Sequence, residues 1–86
     1  MRLASTNSTF DQSSLTVAAN TAFAIEFQNL DPVPHNVSIR ASRPGFAGEI
    51  FSGPATRTSV FAGLPVGSYA FVCDVHPEMT GVLTSL

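Results

Sequence analysis

The segment YAFVCDVHPEMTG, residues 69–81, decides the fold that we expect for this chain of 86 residues. At its start the large residues alternate, so that Tyr69, Phe71 and Cys73 lie on one face of an extended chain. This pattern predicts a half-buried strand that ends at Cys73, with the sulfur directed inward. A further strand is expected to follow the polar segment, over Met79–Leu86.

The same alternation recurs along the rest of the chain, whereas a helical period does not. In FAIEFQ, residues 23–28, the large apolar side chains share one face, and in HNVSIR, residues 35–40, His35 shares a face with Val37 and Ile39. We expect other strands at Leu3–Ser5, Leu15–Ala18 and Thr58–Ala62, and an irregular loop with at most one short strand over Ser42–Thr56. Strands separated by Gly- and Pro-rich turns every 8–12 residues or so predict an all-β sandwich or barrel.

The composition indicates one globular domain over residues 1–86. Hydrophobic residues make up 44% of the chain and charged residues only 12%, which excludes a disordered segment. The net charge is −2 and the four positive residues are scattered, which argues against a nucleic-acid partner. No apolar run approaches ~20 residues, so we expect no membrane span. The single cysteine leaves no internal disulfide.

Four candidate metal ligands account for every Cys and His of the chain. Cys73, His76 and Met79 fall within seven residues, and His35 lies upstream. Each of them alone is more simply read as a buried core residue. Together they form the ligand set of a blue-copper site, in which two His and one Cys bind in a plane and a Met binds weakly along the axis. Structural zinc sites prefer several Cys or His and no Met.

Other residues near these candidates are interpreted as support for the site. Asn36 follows His35, and we expect its side chain to hydrogen-bond the backbone of the ligand loop and join the two halves of the site. Pro77 has a fixed φ and stiffens the loop. Asp74 and Glu78 are interpreted as solvated loop charges, because the residues next to them in the sequence are already assigned as metal ligands.

The segment PHNV, residues 34–37, and the segment 69–81 resemble those of the cupredoxins, the small blue-copper proteins, and the pattern over Leu15–Phe27 extends the resemblance to nearly the whole chain. The short ligand loop most resembles those of amicyanin and plastocyanin. Amicyanin is the nearer match, since plastocyanin and azurin have longer loops. The chain is shorter than most free members of the family. It also lacks the second Cys of a dinuclear copper site and the His-Cys-His pattern of the multicopper oxidases.

This resemblance implies a Greek-key β-sandwich with one copper ion bound by His35, Cys73, His76 and Met79. It also implies an electron carrier that acts between larger redox proteins, in the periplasm or outside the cell, either free or anchored to a membrane in its full precursor. We expect a monomer that is not an enzyme, because no spare acid, base or open coordination position is evident. The alternative is a copper-binding, storage or structural module cut from a larger membrane-anchored or multidomain protein.

The resemblance further predicts that redox partner proteins dock transiently on an apolar patch around His76. The residues expected to surround His76 in this patch are Pro32, Val33, Pro34, Phe46, Leu64 and Pro77. For Phe46 and Leu64, a place in the hydrophobic core is an equally good interpretation.

Overall fold

The computed structural model describes residues 1–86, which form ten strands and no helix. In chain order the strands are β1 (Arg2–Thr6), β2 (Thr9–Phe10), β3 (Ser14–Val17), β4 (Phe23–Asn29), β5 (Pro34–His35), β6 (Ser38–Ile39), β7 (Phe51–Ser52), β8 (Ala55–Phe61), β9 (Gly67–Val72) and β10 (Thr80–Ser85). The chain thus has no helix long and apolar enough to cross a lipid bilayer.

Two four-stranded sheets form the sandwich. The first sheet has the order β2-β1-β4-β8, with β1 parallel to β4 and the other pairs antiparallel. The second has the order β3-β10-β9-β6, with β3 parallel to β10 and the other pairs antiparallel. The short strands β5 and β7 pair with each other at one end. The predicted all-β sandwich is confirmed.

The core contains side chains from both sheets in one contiguous cluster. Its largest fully buried members include Phe27 and Phe61 from the first sheet and Phe71 and Leu83 from the second. Large apolar residues that alternate along each strand meet here, because successive side chains of a strand point to opposite faces. The ends of the strands therefore hold the loops of the metal-ligand candidates on a rigid base.

Most of the predicted strands occur at the predicted places, within a few residues at their ends. The main exception is the segment 35–40, which forms two separate short strands instead of one alternating strand. The side chains of Asn36 and Ser38, expected on the opposite face from His35, are buried as well. The reason is that β5 pairs with β7 while β6 pairs with β9, so the chain between them is enclosed on both sides.

Strand β2, which forms a tight hairpin with β1, was not predicted from the sequence. The two residues of its turn, Asn7 and Ser8, both have positive φ, at 53° and 54°. This is the backbone of a two-residue hairpin turn whose twist matches that of the flanking strands. Ser is an uncommon residue at the second position, where Gly is preferred, and so the turn signal in the sequence is weak.

The hairpin of β9 and β10 carries the seven-residue segment 73–79 as its connection. Within this hairpin Gly81 pairs with Phe71. A Cβ atom at residue 81 would overlap the Phe71 ring and would lie 2.8 Å from the carbonyl oxygen of Ser13. Glycine is needed here because the Phe71 ring crosses the backbone of the neighbouring strand.

We expect Gly81→Ala to lower the free energy of unfolding of the metal-free protein by about 1–3 kcal/mol, since the added methyl group would overpack the fully buried Phe71 ring. The matched variants are Phe71→Leu and the double variant, measured by urea denaturation. Leucine removes the edge of the ring that a Cβ would strike. The double variant should therefore lose less stability than the sum of the two single losses. Strict additivity of the losses would contradict this account of Gly81.

Candidate metal centre

Cys73 follows the last residue of β9 and is fully buried. Its backbone N–H donates to the carbonyl oxygen of Met79 at 3.0 Å, and the N–H of Met79 donates to the carbonyl oxygen of His76 at 2.9 Å. These two bonds close the loop between the hairpin strands. The three residues predicted from this segment therefore lie on one small, hydrogen-bonded turn.

His35 is the last residue of β5 and is also fully buried, in a position directly opposite this loop. Its Nδ1 lies 3.1 Å from Nδ1 of His76 and 3.8 Å from Sγ of Cys73. The remaining distance, from Nδ1 of His76 to Sγ of Cys73, is 3.9 Å. The structure thus brings together the thiol and both imidazoles predicted from the sequence, with one donor atom of each within 3.9 Å of the other two.

The spacing of these three atoms fits a metal ion lying between them. A triangle with these sides has a point about 2.1 Å from every corner, and bonds from imidazole nitrogen or thiolate sulfur to zinc, an ion of similar size, are about 2.0–2.3 Å long. A set of two imidazole nitrogens and one thiolate sulfur is the trigonal donor set of a blue-copper site. The residues present therefore fit one copper ion.

Met79, the fourth predicted ligand, is buried in the same core cluster as Cys73. Its backbone bonds to Cys73 and His76 hold it at the end of the ligand loop, immediately before β10. This position keeps the Met79 side chain away from solvent. Its role as an axial ligand stays a prediction.

Asn36 connects the two segments that carry the ligands, as the sequence predicted. Its side-chain Oδ1 accepts a hydrogen bond from the backbone N–H of Asp74 at 2.8 Å. Its Nδ2 donates to the Asp74 carboxylate at 2.9 Å and to the carbonyl oxygen of Gly48 at 3.1 Å. Since Asn36 adjoins His35 and Asp74 adjoins Cys73, the bridge fixes the separation of the two ligands.

Asp74 and Glu78 are both exposed, as expected of loop charges in contact with solvent, but Asp74 also has specific partners in the protein. The Asp74 carboxylate forms an ion pair with Arg40 at 2.9 Å, in addition to its bond with Asn36. Burial alone would raise the pKa of Asp74, but the hydrogen bonds from Asn36 and Arg40 and the charge of Arg40 outweigh it and hold the pKa below its usual value. Asp74 is thus part of the framework around the ligand loop.

Asp31 is a site residue that the sequence analysis missed. Its carboxylate Oδ2 lies 2.8 Å from Nε2 of His35, on the side of the ring away from Cys73. The backbone N–H groups of Asn7 and Ser8 donate to the same carboxylate at 2.7 and 2.9 Å. The N–H of Ser8, followed by those of Asn7 and the His35 ring, holds the pKa of Asp31 below its usual value against the opposing effect of burial.

Most of the residues that the sequence predicts for an apolar patch around His76 are exposed. His76 is half-buried, and its Nε2 has no hydrogen-bond partner in the protein. Of the residues predicted for this patch, Pro32, Val33, Pro34 and Pro77 are exposed, and Val75 is a further exposed member at 43%. Phe46 and Leu64, in contrast, are only 4% and 1% exposed and belong to the core.

The chain belongs to the cupredoxin-like domain family, whose profile matches residues 1–85. Among solved structures, it is similar to the dithionite-reduced auracyanin of Roseiflexus castenholzii, at 22% identity over 99% of this chain and 94% of that one, with a TM-score of 0.82. It is similar also to auracyanin A of Chloroflexus aurantiacus, described as a "blue" copper protein, at 19% identity over 100% and 97% of the two chains, with a TM-score of 0.81.

A third similar structure is the amicyanin of Paracoccus versutus. This chain is 22% identical to it over 99% of this chain and 79% of the amicyanin, with a TM-score of 0.74. At these identities the structures establish the shared fold. No match was found among curated proteins. The family membership and the donor set of this chain together support a single copper ion as its cofactor.

We expect Asp74→Asn to lower the free energy of unfolding of the metal-free protein by at most about 1 kcal/mol near neutral pH, because it removes an ion pair whose Arg40 and Asp74 side chains are 52% and 31% exposed. A carboxylate whose pKa is lower in the folded state contributes its full stability above the unfolded pKa, at a pH of about 4 and higher. That contribution is lost as the pH falls through the lower native pKa. The wild-type and variant stabilities should therefore converge in acid, as measured by urea denaturation at a series of pH values.

The control variant is Glu49→Gln, which removes the more exposed ion pair with Arg57, whose atoms lie 3.4 Å apart. Its loss at neutral pH should not exceed about 0.5 kcal/mol. A constant difference between wild type and Asp74→Asn down to the lowest pH would contradict the assignment of this pair.

Proposed function

We propose that this chain is a type 1 copper protein that carries single electrons between larger redox proteins. His35, Cys73, His76 and Met79 would hold the copper ion, with the thiolate, the two imidazoles and the thioether as its donors. The convergence of one sulfur and two imidazole nitrogens on a single point supports this function most directly. The membership of the cupredoxin-like family supports it independently.

The protein residues hold one geometry for both redox states. Copper, when bound, supplies the one-electron Cu(II)/Cu(I) couple. Thiolate and thioether donors suit Cu(I), and imidazole suits both states, so a compromise geometry keeps the reorganisation small. Burial of Cys73, His35 and Met79 in the core keeps these donors from moving and keeps water away from the sulfur.

His76 is the proposed exit for the electron, because it is the one donor that is not fully buried. The proposed docking patch consists of Pro32, Val33, Pro34, Val75 and Pro77, whose exposure supports weak, transient docking of a partner near His76. We propose that residues 1–86 act as one domain, as a monomer and not as an enzyme. The proposed location is the periplasm or the outside of the cell.

Addition of Cu(II) to the metal-free protein should produce an intense visible band from thiolate-to-copper charge transfer. Cys73→Ser should abolish the band and leave the far-UV circular dichroism unchanged, since the serine removes the thiolate but little volume. Zn(II) is the control metal, because its filled d shell should bind at the same residues without colour. A folded, copper-loaded protein without the band would exclude a type 1 site.

The electrochemistry of the loaded protein separates a carrier from the alternative, a copper store or structural module. A carrier keeps its metal through repeated oxidation and reduction and has a reversible potential. Release of copper on reduction would favour the store.

Substitution within the apolar patch should slow electron exchange between two copies of the protein. We expect Val75→Glu to lower the electron self-exchange rate by about tenfold or more, since two like charges must approach where the patches meet, and about 1.4 kcal/mol suffices for a tenfold change. The rate is measured from NMR line broadening in mixtures of the reduced and oxidised protein.

Val82→Glu is the matched control, because Val82 lies on β10 and is 46% exposed, close to the 43% of Val75. It introduces the same charge outside the patch and should leave the rate nearly unchanged at moderate salt. Equal slowing by both variants would show that net charge alone limits the exchange and would contradict docking at this patch.

A further inference from the structure

Asp31 connects the buried imidazole of His35 to a different part of the fold. The Asp31 side chain is only 10% exposed and the His35 side chain is fully enclosed, so their 2.8 Å contact is shielded from water. The carboxylate does not depend on His35 for its position, because the backbone N–H groups of Asn7 and Ser8 already hold both of its oxygens. The acceptor for the imidazole is therefore fixed in advance.

The backbone around Asp31 is fixed by a second buried side chain, that of Asn29. Its Oδ1 accepts hydrogen bonds from the N–H of Asp31 at 2.9 Å and from the Ser5 hydroxyl at 3.2 Å. Its Nδ2 donates to the carbonyl oxygens of Phe51 and Val33, at 2.8 and 3.0 Å. The backbone of Asp31 is thus fixed by Asn29, and its carboxylate is fixed by the N–H groups of Asn7 and Ser8.

A neutral imidazole carries its proton on one ring nitrogen and has a lone pair on the other. Its hydrogen-bond partner determines which of the two nitrogens carries the proton. An ionised carboxylate can only accept a hydrogen bond. The Asp31 carboxylate beside Nε2 of His35 therefore requires that this nitrogen carries the proton. This leaves the lone pair on Nδ1, which is the nitrogen that lies 3.8 Å from Sγ of Cys73. Hydrogen-bond partners of this kind orient metal-bound His residues and raise their basicity.

We propose that Asp31 is a positioning residue of the metal centre. Clamped by the β1–β2 turn, it holds His35 in the Nε2–H tautomer with Nδ1 free to bind the metal, and it places a fixed negative charge behind this ligand. The inference rests on the proposed function for its redox consequence, but the tautomer is a property of the protein itself. The turn of Asn7 and Ser8, which lies in a different sheet from the ligand loop, thereby becomes part of the metal centre.

The charge of Asp31 has a predictable effect on the redox couple. A buried anion close to a ligand favours the more positive of two metal states, and so it stabilises Cu(II) relative to Cu(I). Loss of the charge should therefore raise the reduction potential. Removal of a charge that served only to stabilise the fold would not be expected to raise the reduction potential.

The first test is nitrogen-15 NMR of the imidazoles in the metal-free, full-length protein. We expect the proton of His35 on Nε2, as a slowly exchanging N–H resonance coupled to that nitrogen. A proton found on Nδ1 of neutral His35 would overturn the proposal. This measurement needs neither a variant nor copper, so it decides the tautomer even if a variant fails to fold or the visible band is absent.

The second test compares Asp31→Asn with Asp11→Asn. Asparagine at position 31 offers one oxygen where three N–H groups converge, so we expect loss of the slowly exchanging Nε2–H resonance of His35. Metal affinity, measured with Zn(II) as well as copper, should fall about 10–100-fold, as for other partners of metal-bound His. If the affinity for Cu(II) falls about tenfold relative to the affinity for Cu(I), the reduction potential rises by 59 mV.

Asp11 is the matched control, because it is exposed and accepts a hydrogen bond from the backbone N–H of Ala4, but contacts none of the four proposed ligands. Its variant has the same change in net charge and should leave the tautomer, the Zn(II) affinity and the potential unchanged. Equal effects of the two variants, or an unchanged Zn(II) affinity and potential in Asp31→Asn, would overturn the proposal. Failure of the blue-copper function would instead show as a missing visible band in the wild type.

Discussion

The hydrogen bonds of the Asn36 side chain hold together two segments that are far apart in the sequence. His35 and Cys73 are separated by 38 positions, and the residue after each of them takes part in the bridge. The amide both accepts from and donates to Asp74, so the ligand loop cannot slide along β5 without loss of two bonds. Each such bond contributes about 1 kcal/mol net, but an unpaired buried amide costs more, and this makes the bridge difficult to replace.

The sandwich supports this bridge by placing the ligand loop at the end of a stiff hairpin. Phe71 and Cys73 continue the buried face of β9, and the Phe71 ring occupies the space that a side chain at residue 81 would fill. Cys73 is held on the side of the core by packing and on the side of the loop by the carbonyl oxygen of Met79. Small displacements of the sulfur are therefore opposed from both directions.

The sequence allowed the fold and the donor set to be predicted because both depend on local pattern and residue scarcity. Alternation in β4 and β9 is visible residue by residue, and a chain with one Cys and two His leaves few ligand sets to consider. Asp31 could not be identified in this way, because its role depends on N–H groups of Asn7 and Ser8, and their direction follows from a turn with positive φ. For Phe46 and Leu64, the sequence could not distinguish a place in the core from a place in the surface patch. The segments around them are irregular and show no alternation from which a buried face could be assigned.

The two imidazoles of the centre have unequal surroundings, and this difference bears on electron transfer. His35 is enclosed and has a carboxylate behind it, whereas His76 is half-buried and its Nε2 has no hydrogen-bond partner in the protein. The enclosed side resists changes in geometry, which keeps the reorganisation on electron transfer small. The open side leaves His76 only half-buried while the sulfur of Cys73 stays fully enclosed. A site with two enclosed imidazoles would be as rigid but poorly connected to a partner, and one with two open imidazoles would admit water to the thiolate. The unequal arrangement meets both requirements with a loop of only seven residues.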